Sequence, residues 1–131
     1  MENIASVLKL ETLVFDSIEF KRKGFKNDND IKFQIEVQVG KGQDNISKVT
    51  LILKGVKEDE YDMLISLSGF FSFDKVEEID DKQMETLLNK NAVAILMPYL
   101  RSEVSLLTAQ PNTDCIVLPP FNINKLMDTK C

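Results

Sequence analysis

The feature that most constrains the fold is a strict alternation of apolar and polar side chains from Ile31 to Val39. Every odd position in this stretch is apolar, and the side chains between them are Lys32, Gln34, Glu36 and Gln38. Successive side chains of a β-strand point to opposite faces of a sheet, so the stretch predicts a strand. One face of the sheet that it joins is therefore core, and the other faces water.

Three further segments are predicted to be strands. Residues 7–20 alternate loosely, with a bend or bulge near Asp16, and residues 49–56 and 61–73 form the later strands. Short polar turns join the last three strands, whereas a charged, turn-rich connection at residues 21–30 follows the first. These segments predict an antiparallel meander of four strands with a crossover after strand one.

A helical period replaces the alternation after strand four. Asp80 or Asp81 can cap a helix that starts near Lys82, and residues 92–109 predict a longer helix. Pro98 removes a backbone donor within the longer helix, so we expect a kink there.

The longer helix is apolar on two sides. One stripe runs from Val93 to Leu107 and suits the sheet of the same chain. The second stripe consists of Ile95, Tyr99 and Leu106. Because a helix with two apolar sides needs two partners, we assign the second stripe to a contact with another subunit.

The sequence predicts an α+β fold with a single domain over residues 1–131. A last short helix can open at Asn122 or Asn124 and include Leu126 and Met127. The sheet then has one long kinked helix and this short C-terminal helix packed on one side. A length of 131 residues with 44% hydrophobic content provides a core that needs no disulfide or metal.

The charge and the hydropathy of the chain indicate in which compartment it is found and which classes of partner are not expected. The net charge of −5 is spread along the chain without a broad basic surface, so nucleic acid is not the expected partner. The first residues do not resemble a signal peptide, and no apolar run is long enough for a membrane span. The two cysteines are interpreted as thiols. We expect a cytoplasmic protein.

The chain offers little that suggests catalysis. It has no histidine, and the glycines at positions 40 and 42 lack the spacing of a phosphate loop. Acidic clusters at residues 28–30, 58–60 and 77–81 fall at turns and are interpreted as solvated, and Cys115 is interpreted as a buried small hydrophobe. We therefore expect no enzymatic activity, no cofactor and no metal.

Three motifs resemble the SecB export-chaperone family. They are LSGFFSF at residues 67–73, NAVAILMPYLRSE at residues 91–103, and LPPFN at residues 118–122. Their order and spacing, and the internal Pro-Tyr-x-Arg-x-Glu, are similar to the family pattern. Residues 10–20 also resemble the family's first strand, so the resemblance spans nearly the whole chain.

The resemblance implies a function as well as a fold. It implies a homotetramer built as a dimer of dimers, and a holdase that keeps client polypeptides unfolded without ATP. The positions that match the family's client groove are Leu8, Leu10, Ile31, Phe33, Ile35, Leu126 and Met127. Phe70 is a further candidate because it lies on the otherwise polar face of its strand. Each of these side chains could instead be ordinary core.

Two departures from the family pattern concern export. Where the family places acidic residues that dock the motor ATPase SecA, this chain has Ser17, Lys21 and Leu64. The extended acidic C-terminal tail of the family has no counterpart after Met127. We therefore expect electrostatic docking of SecA to be weak or absent.

Three functions remain open at this point. The chain can be a general chaperone that delivers unfolded proteins for secretion, or a dedicated chaperone of one labile partner such as an antitoxin. The third possibility is a small-molecule binding module whose sheet and kinked helix enclose a pocket. Client breadth separates the first two, and a thermal shift with an apolar ligand identifies the third.

Overall fold

The computed structural model describes residues 8–42, 46–73, 82, 86 and 88–119. Four strands come first and a helical region follows. The strands are β1 (Leu8–Arg22), β2 (Ile31–Lys41), β3 (Ile46–Lys57) and β4 (Tyr61–Phe73). A π-helical turn (Leu88–Ala92) leads directly into the long helix α1 (Val93–Thr108).

The four strands form one antiparallel sheet in the order β1-β4-β3-β2. β2, β3 and β4 are a meander, and β1 pairs with β4 at the far edge. The predicted α+β fold and the crossover after the first strand are thus confirmed. Residues 23–30 carry the chain from one edge of the sheet to the other. We call them the crossover.

β1 contains two irregularities that keep its apolar side chains on one face. Its register with β4 shifts between Leu10 and Thr12 and again between Phe15 and Ser17. Each shift inserts one unpaired residue, Glu11 or Asp16, and resets the alternation of the strand. The bulge predicted near Asp16 is confirmed. The one at Glu11 was not predicted.

The core lies between α1 and one face of the sheet, which we call the helix-side face. Strands β3 and β4 at the centre of this face supply fully buried side chains, including Leu51, Leu53, Ile65, Leu67 and Phe71. From α1, the buried side chains include Val93, Leu96, Leu100 and Val104. Each such side chain contributes about 1.5–3 kcal/mol on burial, so this layer dominates the stability of the fold.

Gly69 permits the close approach of α1 to β4. A Cβ atom at this position would lie 2.7 Å from the Leu96 side chain and 2.8 Å from the Phe71 ring. Any larger residue would therefore force the Leu96 and Phe71 side chains to move from their packed positions. The opposite face, which we call the open face, carries alternate residues such as Asp62, Ser66 and Phe70 that are half-buried.

The remaining helical predictions are only partly covered by the structure. α1 continues across Pro98, which is exposed, and the kink expected there stays a prediction. Lys82 is helical, whereas Asp80, Asp81 and the predicted C-terminal helix lie outside the described residues. Within the described part of the chain, no helix is long and apolar enough to cross a membrane.

Candidate functional site

A row of half-buried apolar side chains lies along the first half of β2. Ile31, Phe33 and Ile35 point to the helix-side face, and we call them the β2 strip. Val37, further along the same row, is only 2% exposed. A Cβ atom on Gly55 would lie 3.0 Å from the Phe33 ring, so this ring lies against the backbone of β3. The strip is thus anchored to the core and still open to solvent at the sheet edge.

Leu8 and Leu10 share the helix-side face but lie far from the β2 strip. Leu8 is buried and Leu10 is half-buried. Leu10 pairs with Phe71 and is level with Lys41 of β2, six residues beyond Ile35. Three strand spacings across and six residues along correspond to roughly 14 Å and 20 Å. Within one chain, these two groups of predicted groove residues form separate surfaces.

Phe70 lies on the opposite side of the sheet from the other described groove candidates. Its ring is on the open face, and the ammonium of Lys48 is 5.7 Å from the ring centroid. It borders a shallow hollow of about 370 Å³. The hollow is lined by Gly40, Lys41, Gly42, Ile46, Lys48 and Phe70. A ligand that contacts the β2 strip therefore cannot reach Phe70 without passing around the sheet. The remaining candidates, Leu126 and Met127, lie outside the described residues.

A buried ion pair fixes the crossover beside the β2 strip. Lys57 Nζ lies 2.8 Å from Glu60 Oε1, and the two side chains are 7% and 0% exposed. The backbone amide of Asn27 donates to Glu60 Oε1 at 2.8 Å, and Lys57 Nζ donates to the backbone carbonyl of Asn27 at 3.0 Å. We call these three residues the crossover clamp. The sequence interpretation of residues 58–60 as a solvated acidic turn is wrong for Glu60, because the crossover covers this carboxylate.

The charge of Glu60 is stabilised by its neighbours. Burial by itself would raise the pKa of this carboxyl group. The hydrogen bonds from Lys57 and Asn27, together with the positive charges of Lys57 and Arg22, outweigh burial and hold the pKa below its ordinary value. Glu60 is therefore an anion in the folded protein at neutral pH.

Backbone contacts join the crossover to the turn between β3 and β4. The Glu60 carbonyl accepts hydrogen bonds from the amides of Lys23 at 2.7 Å and Gly24 at 3.1 Å. A Cβ atom on Gly24 would lie 2.3 Å from the Asp59 carbonyl oxygen, so only glycine fits this contact. The side-chain amides of Asn27 and Asn29 both donate to the Glu58 carbonyl at 2.9 Å. Together with the clamp, these contacts set the point at which β2 begins.

The crossover also contacts the segment that follows α1. Lys26 Nζ lies 2.8 Å from Asp114 Oδ1, and Arg22 Nη2 donates to the hydroxyl of Thr113. These pairs are exposed, so they are weaker than the buried clamp.

In the same segment Cys115 is exposed, and the prediction that it is buried is wrong. The Cys115 thiol donates to the Ser105 carbonyl at 3.6 Å, and Leu118 is the residue of this segment that is fully buried.

The second stripe of α1 is uncovered in the single chain. Tyr99 is 44% exposed, Leu106 is 65% exposed and Ile95 is half-buried. Sequence analysis assigned these three side chains to a subunit contact. Ile95 also packs partly against the core, so Tyr99 and Leu106 are the members of this stripe that are exposed for such a contact.

The three positions linked to SecA docking are neighbours on the open face. Ser17 pairs with Ser66, Lys21 pairs with Asp62, and Leu64 lies between these levels on β4. The Asp62 carboxylate is 3.0 Å from Lys23 Nζ. Asp62 thus has two lysines from the end of β1 and the start of the crossover beside it, and Glu19, which pairs with Leu64, is another acidic residue of this site.

Fold and surface together define, over the described residues, an α+β protein whose sheet is covered on one face by the long helix α1, with the half-buried β2 strip at one edge. The chain belongs to the SecB family. The family described as preprotein translocase subunit SecB matches residues 11–131.

Two individual proteins are similar to this chain, one in sequence and one in structure. An uncharacterized protein of Methanocaldococcus jannaschii is 29% identical over 128 residues, which span 92% of this chain and 82% of the relative. The solved structure of a SecB-like chaperone of Mycobacterium tuberculosis, in complex with a ChAD peptide from the HigA1 antitoxin, superposes with a TM-score of 0.67. It is 11% identical, and the alignment covers 91% of this chain and 94% of that one. This likeness establishes the shared fold.

Proposed function

We propose that the chain is an ATP-independent holdase that binds unfolded polypeptide segments along apolar surface. Membership of the SecB family supports a chaperone role. The observation that carries the proposal is the β2 strip, whose three apolar side chains are half-buried on a strand that begins beside the crossover clamp. An apolar surface that is formed before the client arrives loses little conformational entropy on binding.

The proposed mechanism is multivalent and needs no chemistry. Each apolar contact contributes on the order of 1 kcal/mol or less net, and a long unfolded client makes many of them. A native protein has already buried its apolar side chains and is not bound. The chain has no histidine, which agrees with a role in binding and not in catalysis.

The proposal includes the assembly and the location. The exposed stripe of Ile95, Tyr99 and Leu106 would join chains into a dimer of dimers in the cytoplasm. In such an assembly, the half-buried Leu10 of several chains would add to the client surface, whereas Leu8, predicted as a groove residue, is buried in the core of its own chain. Preprotein export through SecA would depend on the open face, where Ser17, Lys21 and Leu64 replace acidic residues.

A dedicated chaperone of one labile partner is the second candidate. The SecB-like chaperone of Mycobacterium tuberculosis was solved with a peptide from an antitoxin, and its fold is shared over most of this chain. A dedicated chaperone would bind one short apolar segment tightly and leave other unfolded proteins unbound. A small-molecule binding module, in contrast, would be stabilised by an apolar ligand and would bind no polypeptide.

Aggregation of a dilution-refolded protein, followed by light scattering without nucleotide, tests the proposal. We expect near-stoichiometric amounts of this chain to suppress the scattering. If a large excess has no effect, the general holdase is wrong. A pull-down and a ligand thermal-shift assay then separate the two alternatives.

A further inference from the structure

Gly40 differs from the other four glycines of the chain, because nothing in the described residues requires a glycine there. A Cβ atom at each of the other four would lie 3.0 Å or less from a neighbouring atom, whereas one at Gly40 would meet no heavy atom within 4 Å. Gly40 also has no positive φ, so its backbone accepts a side chain. A glycine weakens a strand and often marks a site where a ligand approaches the backbone. The space above Gly40 is therefore a candidate binding site.

That space belongs to the hollow on the open face that Phe70 borders. Gly40 pairs with Lys48 of β3, and Lys48 pairs with Phe70 of β4, so the three residues form one row across the sheet. The ends of this row are about 10 Å apart. The ammonium of Lys48 lies 5.7 Å from the centroid of the Phe70 ring, and the Lys48 side chain leaves Gly40 uncovered. The hollow of about 370 Å³ thus lies between a bare backbone and a half-buried aromatic ring.

The surroundings of the hollow are basic, although the whole chain has a net charge of −5. Lys41 and Lys48 line the hollow, and Lys9 lies on the same face, paired with Ser72 of β4. Glu11, the carboxylate of the neighbouring bulge, accepts a hydrogen bond from Ser72. Among the described residues, no carboxylate forms an ion pair with any of the three lysines. An acidic group is therefore complementary to this surface.

We propose that the hollow binds an acidic polypeptide segment through one aromatic side chain. The incoming ring lies on the backbone of Gly40 and against the Phe70 ring, a contact that aromatic pairs favour. Carboxylates beside the aromatic residue pair with the ammonium groups of Lys48 and Lys41. The hollow is shallow, so a free small molecule would remain largely in water, whereas a longer segment covers the bound ring with its own chain.

This site goes beyond the proposed function and does not depend on it. The β2 strip lies on the helix-side face and selects apolar side chains, whereas the hollow lies on the open face and selects acidic charge together with one ring. Its partner is thus a particular acidic protein and not unfolded clients in general. Because the sheet separates the two surfaces, both can be occupied at the same time.

Tryptophan fluorescence tests the proposal, because the chain itself has no tryptophan. A short peptide of serine and glutamate with one central tryptophan is titrated with the full chain. We expect the emission to shift to the blue as the ring leaves water. Replacing the glutamates by glutamine should weaken binding about tenfold, and added salt should also weaken it, because exposed charges are screened.

Three variants locate the site. Gly40→Leu fills the hollow without a clash at its first carbon, and we expect it to weaken binding about tenfold with an unchanged thermal midpoint. Lys48→Gln removes one charge and should weaken binding about threefold to tenfold. Lys54→Gln, about 20 Å further along the open face of β3, is the matched control and should change binding little.

Several results would overturn the proposal. It is wrong if the acidic peptide does not bind, if Gly40→Leu binds it as tightly as the unchanged chain, or if a lysine peptide with the same tryptophan binds more tightly. Equally tight binding of N-acetyltryptophan would show a small-molecule site instead. A self-association that Gly40→Leu abolishes would show that a second copy occupies the hollow. Suppression of aggregation should be the same in Gly40→Leu and the unchanged chain, so failure here leaves the holdase proposal intact.

Discussion

Lys57 at the end of β3 and Glu60 at the end of the following turn form an ion pair of 2.8 Å that is almost completely buried. A buried ion pair has to recover a large desolvation cost. Here the carbonyl and amide of Asn27 provide the additional hydrogen bonds. Glu60 Oε1 and Lys57 Nζ therefore gain these partners only when the crossover is in place, whereas Glu60 Oε2 is buried without a hydrogen bond. The position of the crossover is thus coupled to the folding of the sheet.

Removing one member of this pair should be strongly destabilising. Glu60→Gln leaves the Lys57 ammonium buried without its counter-ion, and we expect a loss of about 3 kcal/mol in the free energy of unfolding, measured with urea. Asp114→Asn, which breaks the exposed pair with Lys26, is the control and should change little. Equal effects of the two substitutions would contradict the special role of the clamp.

The same carboxylate should make stability depend on acid pH. The folded pKa of Glu60 lies below its ordinary value of 4.5, so the folded state favours the ionised form. Its contribution is complete above pH 4.5 and is lost as the pH falls through the folded pKa. We expect Glu60→Gln to flatten the acid side of a stability profile between pH 7 and 3. If the profile of the variant runs parallel to that of the unchanged protein, other carboxyl groups dominate the acid dependence of stability.

Substitutions on the two faces of the sheet should identify the client surface. Phe33→Ala removes most of the β2 strip's aromatic surface, and we expect the concentration needed to suppress aggregation to rise several-fold. Phe70→Ala removes the same ring from the open face and is the matched control. A loss of activity with Phe70→Ala alone would instead place the client surface on the open face.

Charge on the exposed stripe of α1 should disrupt the assembly. Leu106→Glu places a carboxylate at a side chain that is 65% exposed in the single chain. We expect a lower mass in multi-angle light scattering, with an unchanged circular dichroism spectrum, because an unpaired charge is costly in an apolar interface. Val117→Glu, at a side chain that is 70% exposed, serves as control. An unchanged mass for both variants would refute the predicted interface.

Gly24 should tolerate no side chain. An alanine Cβ would lie 2.3 Å from the Asp59 carbonyl, so Gly24→Ala must displace the crossover or the turn, at a cost of about 1–3 kcal/mol in unfolding free energy. Gly40→Ala is the control, because no heavy atom lies within 4 Å of the added methyl group and its effect should be small. If thermal unfolding gives both variants the same midpoint, the close contact is not important.

The strands and α1 were predictable because their signals are local. Alternation between Ile31 and Val39 and between Tyr61 and Phe73 depends only on neighbours in the chain, and both segments are strands. The strand that precedes β4 begins at Ile46, earlier than predicted, because Ser47 and Lys48 interrupt the apolar pattern. The bulge at Asp16 left a visible break in alternation. Glu11, between two apolar segments, gave no such signal.

The residues of the candidate site could be named from the sequence, but their arrangement in space could not be predicted. Leu10 and Ile35 belong to the same predicted groove, yet the strand order places them at opposite edges of the sheet. Pairing order and register depend on contacts between residues distant in the chain, and alternation carries no information about them. Phe70 was correctly assigned to the polar row of β4. Only the sheet shows that this row lies on the face away from the β2 strip.

The amino-acid sequence by itself determined the α+β class, the four strands, the long helix and the resemblance to the SecB family, since each depends on local periodicity or on a motif. Tertiary structure decided which polar groups are buried. Glu60 belongs to an acidic turn that looks solvated, and it is buried because the crossover folds over it. Cys115 precedes an apolar run and is exposed, whereas Leu118 at the end of that run is fully buried. Burial is a property of the neighbours that a fold brings together, and a single segment cannot specify them.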